Sequence, residues 1–101
     1  MKKYIWGAGL EGIRALYNLC EERIFGIIDS QKKGKVASYE IISPDLIEYD
    51  DDNYFFIATS DDSYFKVKEF LENRGYKEFD SFINWRCYKK KICLLNDIKV
   101  D

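Results

Sequence analysis

The chain has 101 residues, 47% of them hydrophobic, with a formal charge of −2 and a pI of about 5.2. That is enough apolar material for one small domain with its own core, and the acidic balance excludes a basic surface of the kind that binds nucleic acid. Histidine is absent, which excludes His-based metal sites, Ser-His and Cys-His nucleophile systems and the commonest general base.

In chain order, the first element is the apolar run Tyr4-Ile5-Trp6, followed at once by Gly7-x-Gly9-x-x-Gly12 and then by an amphipathic pattern. In a strand–turn–helix context this glycine spacing predicts a phosphate cradle. Gly7 permits the tight turn, Gly9 lets a pyrophosphate approach the backbone, and Gly12 lets the helix pack close to the strand. The helix N-terminus adds free N–H groups and a positive dipole end. The helix is expected over residues 10–22. Its apolar face would be Ile13, Leu16, Tyr17 and Cys20 at i, i+3, i+4 and i+7, with Glu11, Arg14, Asn18 and Glu21 outward.

Residues 24–28, Ile-Phe-Gly-Ile-Ile, read as a strand buried on both faces of a parallel sheet and ending at Asp29. Strand, helix and strand within about 30 residues make one right-handed βαβ unit. Residues 30–35 are a polar loop, and residues 39–42 a third, short strand. Ser43, Pro44 and Asp45 look like the start of a short helix ending near Tyr49, with Ser43 as N-cap and Pro44 at the first helical position. After a turn at residues 50–53, Tyr54-Phe55-Phe56-Ile57-Ala58 is apolar throughout and reads as a central strand. A helix is expected over residues 62–74, with Val67, Phe70 and Leu71 inward, Tyr64 one turn earlier, and Gly75 as the stop signal. Residues 77–80 read as a last short strand.

Two units are expected, a domain over residues 1–83 and an extension over residues 84–101. The extension, which mixes Trp85, Ile92, Leu94, Leu95, Ile98 and Val100 with charge, would cover a sheet edge or meet a second subunit. Cys20 reads as a small buried hydrophobe, and with Cys87 and Cys93 the three cysteines show no metal or disulfide spacing. The Lys89-Lys90-Lys91 run reads as a solvated face. No apolar stretch approaches the ~18 residues of a membrane helix, and the two N-terminal lysines precede no long apolar region, so a cytoplasmic protein without signal peptide or membrane insertion is expected.

The alternation of elements predicts an α/β fold, a three-layer open parallel sheet of strand order 3-2-1-4-5, with a ligand crevice at the switch point between strands 1 and 4. Three loops would meet there. Gly7–Gly12 would take phosphate. Asp29, 17 positions after Gly12, is spaced to accept ribose hydroxyls and to favour NAD-like or nucleoside ligands over a 2′-phosphate. Lys32, Lys33 and Lys35 offer a pairing partner for an extra phosphate all the same, and Asp29 also fits a loop-starting Asp that bonds its own backbone. Thr59 and Ser60 would hold sugar groups, or Ser60 or Asp61 would cap the following helix. The candidate cofactor-binding set is thus Gly7, Ala8, Gly9, Leu10, Gly12, Asp29, Ser30, Thr59 and Ser60, with no catalytic or metal-ligating residue assigned.

The segments Tyr-Ile-Trp-Gly-Ala-Gly, Phe-Gly-Ile-Ile-Asp-Ser, Ile-Ile-Ser-Pro-Asp-Leu, Phe-Phe-Ile-Ala-Thr-Ser and Gly-Tyr occur in this order over residues 2–83. Together they resemble small Rossmann-like modules of bacterial surface-polysaccharide and sugar-modifying proteins. These include the N-terminal domains of sugar acyltransferases and of nucleotide-sugar dehydratases and epimerases. The resemblance implies a Rossmann-like fold that binds a nucleotide-sugar or an NAD-type dinucleotide, with Gly7, Gly9 and Gly12 on phosphate, Asp29 at the ribose or base, and Thr59 and Ser60 lining the crevice. The acyltransferase histidine and a catalytic second domain are missing, so a binding module is expected rather than a complete enzyme. It would act alone, as a homodimer or within a larger parent protein. The alternatives are a fragment or subunit of a nucleotide-sugar oxidoreductase or epimerase, and a degenerate domain used for protein–protein contact. Tyr64 and Lys68 also match the Tyr-x-x-x-Lys spacing of short-chain dehydrogenases. Tyr64 is expected to pack inward, and the chain is too short for that family's later strands, so the pair is not assigned to catalysis.

Overall fold

The computed structural model describes residues 1–19 and 22–90. Five parallel strands and one antiparallel edge strand form an open sheet: β1 (Lys2–Trp6), β2 (Ile24–Ile28), β3 (Lys35–Val36), β4 (Tyr39–Ile42), β5 (Asn53–Ile57) and β6 (Phe82–Asn84). Their spatial order is β3-β4-β2-β1-β5-β6. The sheet is therefore mixed, with six strands in the order 3-4-2-1-5-6, where five parallel strands were expected. The extra strand is a hairpin partner of β4, with Val36 opposite Tyr39. Its two-residue turn is Ala37-Ser38, with Ala37 at φ 54°. No Gly or Asn announces such a turn, which is why only residues 39–42 read as a strand. Strand order still reverses about β1, which pairs in parallel with β2 on one side and β5 on the other.

Helices α1 (Leu10–Asn18) and α2 (Asp61–Asn73) cover opposite faces. On the α2 face, Tyr4, Trp6, Ile28, Phe55, Ile57 and Phe82 of the strands meet Tyr64, Val67 and Leu71. On the α1 face, Ile5, Ile27, Phe56 and Ala58 meet Ala15, Leu19 and Trp85. Alternate residues of β1 thus enter different cores, and both are buried; β2 departs from the expected burial on both faces at Phe25, which is 61% exposed because no helix among the described residues covers the sheet there.

The inner side of α1 is Gly12, Ala15 and Leu19, with Leu16 half-buried, and not the Ile13–Tyr17 stripe. Tyr17 is 76% exposed. Periodicity weighs apolar bulk, whereas a helix held tightly against a sheet turns its smallest residues inward. Cys20 lies outside the described residues. The helix expected after Ser43 is a single 3-10 turn, Pro44–Leu46, and Ser43 makes no side-chain cap. Ile47 is the one apolar side chain of residues 45–49 that is buried, too little to support further turns. α2 carries the expected inner residues and ends at Gly75, whose φ is +98°.

The last strand is β6 and not residues 77–80. Those residues form a turn in which the Phe79 N–H donates to the Phe82 carbonyl and the Ser81 N–H to the Lys77 carbonyl. Two phenylalanines three apart competed for the core, and pairing of Phe55 with Phe82 selected the second. Residues 85–90 are helical and Trp85 is 1% exposed. No helix among the described residues is long and apolar enough to cross a membrane. Trp85→Ala should therefore cost about 3–5 kcal/mol of stability, whereas Phe79→Ala, at an exposed position, should stay within about 0.5 kcal/mol. Urea unfolding of the two variants checks this assignment of the strand.

Candidate functional site

The loop between β1 and α1 is pinned where the sheet reverses. The Gly7 N–H donates to the Ile28 carbonyl of β2 at 2.7 Å, and the Ala58 N–H donates to the Trp6 carbonyl at 2.8 Å. Gly7 stands at φ +128°, and a Cβ there would lie 2.4 Å from the Ala58 carbonyl oxygen. A Cβ on Gly12 would lie 1.8 Å from the Gly7 carbonyl oxygen, so α1 rests directly on the loop backbone. Both glycines are demanded by the fold itself.

Gly9 is different. Its φ of −89° and ψ of −161° suit any residue, and a Cβ would meet only the Lys32 Nζ, at an ordinary 3.6 Å. Gly9 is also the N-cap of α1, where Ser, Asn or Asp would satisfy a first-turn N–H. Glycine leaves those donors uncovered, facing a cleft of about 360 Å³.

That cleft brings together Gly7, Gly9, Leu10, Asp29, Thr59 and Ser60 from the predicted set. Three predicted residues do not line it. Ala8 is buried, and its N–H donates to Asp29 Oδ2. Gly12 lies beneath the helix, and Ser30 opens onto neighbouring cavities with Ser43. Three further charged side chains line the cleft: Glu11, Lys32 and Arg86. Arg86 had no signal in the sequence, because its place at the cleft depends on how the chain turns after β6.

Asp29 ends β2 and ties the site together. Its Oδ2 accepts from the Ala8 N–H at 2.9 Å, and its Oδ1 accepts from the N–H groups of Gln31 and Lys32, each at 2.8 Å. Partial burial raises its pKa, but the backbone donors of Lys32, Ala8 and Gln31 and the Lys32 charge outweigh it and hold the carboxyl below its ordinary value. It starts its own loop and also spans to the glycine loop, and Oδ2 keeps acceptor capacity for a further donor. Ser60 caps α2 by accepting from the Ser63 N–H at 3.4 Å, and the Thr59 hydroxyl donates to the Ser60 carbonyl. Of the cleft charges, Arg86 pairs with Asp61 at 2.9 Å and Glu11 with Arg14 at 3.0 Å. Lys32 makes no ion pair among the described residues, and it overhangs Gly9.

Tyr64 and Lys68 lie away from this cleft and converge on Glu78. The Tyr64 hydroxyl donates to Glu78 Oε2, and Lys68 Nζ stands 3.2 Å from Oε1. Burial, with the Glu78 carboxylate as acceptor, pushes the tyrosine pKa far up, opposite to the shift a catalytic Tyr/Lys pair needs.

Comparison with protein-family models, with curated proteins and with solved structures found no match for this chain.

Gly12→Ala should destabilise the protein by about 1–3 kcal/mol, because its methyl meets backbone that has nowhere to go. Gly9→Ala should cost under about 1 kcal/mol, the loss of a tolerated N-cap. Chemical denaturation distinguishes the two. Because the native Asp29 carboxyl is held low, its contribution is complete above the unfolded pKa near 3.8 and is lost as pH falls through the native value. Asp29→Asn should therefore lower stability at neutral pH and flatten its fall between about pH 5 and 2, measured as unfolding midpoint against pH.

Proposed function

We propose that the protein is a Rossmann-like binding module for a nucleotide-sugar or an NAD-type dinucleotide. Its cleft holds the ligand's pyrophosphate on the first turn of α1. The observation that carries this reading is Gly9. Neither backbone conformation nor packing calls for glycine there, and a capping residue would serve the isolated protein better. A glycine at that point favours close approach by something outside the protein, toward open N–H donors and the Lys32 ammonium.

At about 360 Å³ the cleft is at the small end of the ~300–1,000 Å³ typical of ligand sites, which suits a pyrophosphate with one nucleoside. In this reading Asp29 Oδ2, which accepts from the Ala8 N–H, would also accept from a ribose hydroxyl. Each carboxylate of the cleft is already engaged, Asp29 with backbone and Glu11 with Arg14, which supports binding rather than acid–base chemistry by this chain alone. The resemblance to polysaccharide-modifying proteins supports a place in sugar metabolism.

Thermal unfolding against NAD, NADH, UDP-sugars, CoA and ATP tests the reading. A ligand at 100 times its Kd adds about 2.7 kcal/mol, which should raise Tm by roughly 10 °C or more in a domain of this size. Gly9→Val should remove that shift while melting close to the unliganded wild type. No shift with any member of the panel would overturn the proposal.

A further inference from the structure

The Arg86–Asp61 pair, exposed at the surface, joins the rims of two cavities. Arg86 lines the nucleotide cleft, and Asp61, 2.9 Å away, lines a second cavity of about 390 Å³ between α2 and the end of β6. Ser60 and Asp61 are consecutive residues, one on each side. The second cavity has aromatic walls, Tyr64, Phe65 and Phe79, and Glu78, Asn84 and Cys87 complete its lining with Asp61.

Two of those rings are costly where they stand. Phe65 is 69% and Phe79 65% exposed, so neither contributes much to the core. Phe79 also adopts φ +71°, a left-handed conformation that a bulky side chain disfavours and Gly or Asn would accept more readily. A strained, exposed phenylalanine facing a cavity points to a ligand more than to folding. The charged residues lining the cavity are Asp61 and Glu78, and each is ion-paired, Asp61 with Arg86 at 2.9 Å and Glu78 with Lys68 at 3.2 Å. With both carboxylates neutralised, it is the aromatic lining that selects, and it favours a flat ring stacked on phenyl faces. Glu78 is already held by Tyr64 and Lys68, so the compartment binds and does not exchange protons.

We infer that this cavity is the second compartment of the cleft, taking a flat aromatic ring carried beyond the ligand's pyrophosphate. The inference rests on the nucleotide reading of the cleft. Within that reading it selects a dinucleotide of the NAD type over a nucleotide-sugar.

NAD and ADP-ribose, which differ by the nicotinamide ring alone, are the probes, with Kd measured by titration calorimetry on the full chain. Wild type should bind NAD about tenfold tighter than ADP-ribose. Phe79→Gly and Phe65→Ala should each shrink that ratio toward one while leaving the ADP-ribose Kd unchanged. Phe79→Gly relieves a left-handed residue and should melt no lower than wild type, so a lost ratio cannot be laid to unfolding. Gly9→Val should weaken both ligands together. Equal affinity for the two probes in wild type, or a ratio unmoved in both phenylalanine variants, would overturn the second compartment and leave the nucleotide reading standing. A Tm shift with a UDP-sugar and no binding of either probe would do the same. Failure of every nucleotide to bind would overturn both.

Discussion

The contact on which the rest of the molecule depends is that of Gly12 against the Gly7 carbonyl. There is no room for a single methyl group between them. Helix α1 can sit this low because its inward residues are Gly12 and Ala15, and in this position it seats Leu19 against the sheet. It also directs its first turn at the place where the neighbours of β1 diverge. Close packing here is geometric rather than adhesive. Little apolar area is gained at a glycine, but every larger side chain is excluded.

Around that contact the sheet is buried on both faces, and its two cores are unequal in character. The α2 face is rich in stacked aromatics: Tyr4 lies over Phe55 with centroids 5.4 Å apart, Trp6 meets Phe70 edge-on, and Tyr76 meets Phe55. The α1 face is mostly aliphatic until Trp85 and Tyr88 close it over Phe56. The part of the chain after β6 therefore does two things at once. Its buried Trp85 completes a core, and its next residue, Arg86, reaches the cleft rim and pairs with the first residue of α2. A core residue beside a cleft residue couples the site to the stability of the fold.

Within the site, fold and recognition share the same groups. Asp29 secures the glycine loop and its own turn with three backbone donors, and Ser60 and Thr59 are occupied with the start of α2. Among the described residues, what remains unengaged are the first-turn N–H groups of α1 and the Lys32 ammonium. Both suit negative charge on a ligand, and both are presented by a loop that backbone hydrogen bonds already hold in place. A site organised in this way loses little conformational entropy when it is filled.

Elements whose evidence is local were legible in the sequence. The apolar runs of β1, β2 and β5, the glycine spacing and the Gly75 stop each depend on a few adjacent residues and stand where they were expected, and of the alternatives open at Ser60 and Asp61 it is Ser60 that caps α2. Misreadings arose where two local choices were nearly equal and a distant partner decided. β5 chose Phe82 over Phe79, the sheet surface chose Gly12 and Ala15 over Ile13 and Tyr17, and β4 drew Lys35–Val36 into a hairpin that carries no turn signature. Arg86 at the cleft, and the aromatic cavity beyond it, were not legible at all, because they join segments well separated along the chain that no periodicity connects. The sequence by itself determined an α/β domain with a glycine loop after its first strand, since strand runs, turn glycines and caps act through neighbouring residues. Which side chains reach that loop, and what lies beside it, was decided by the tertiary structure alone, because packing and register are settled between segments and not within them.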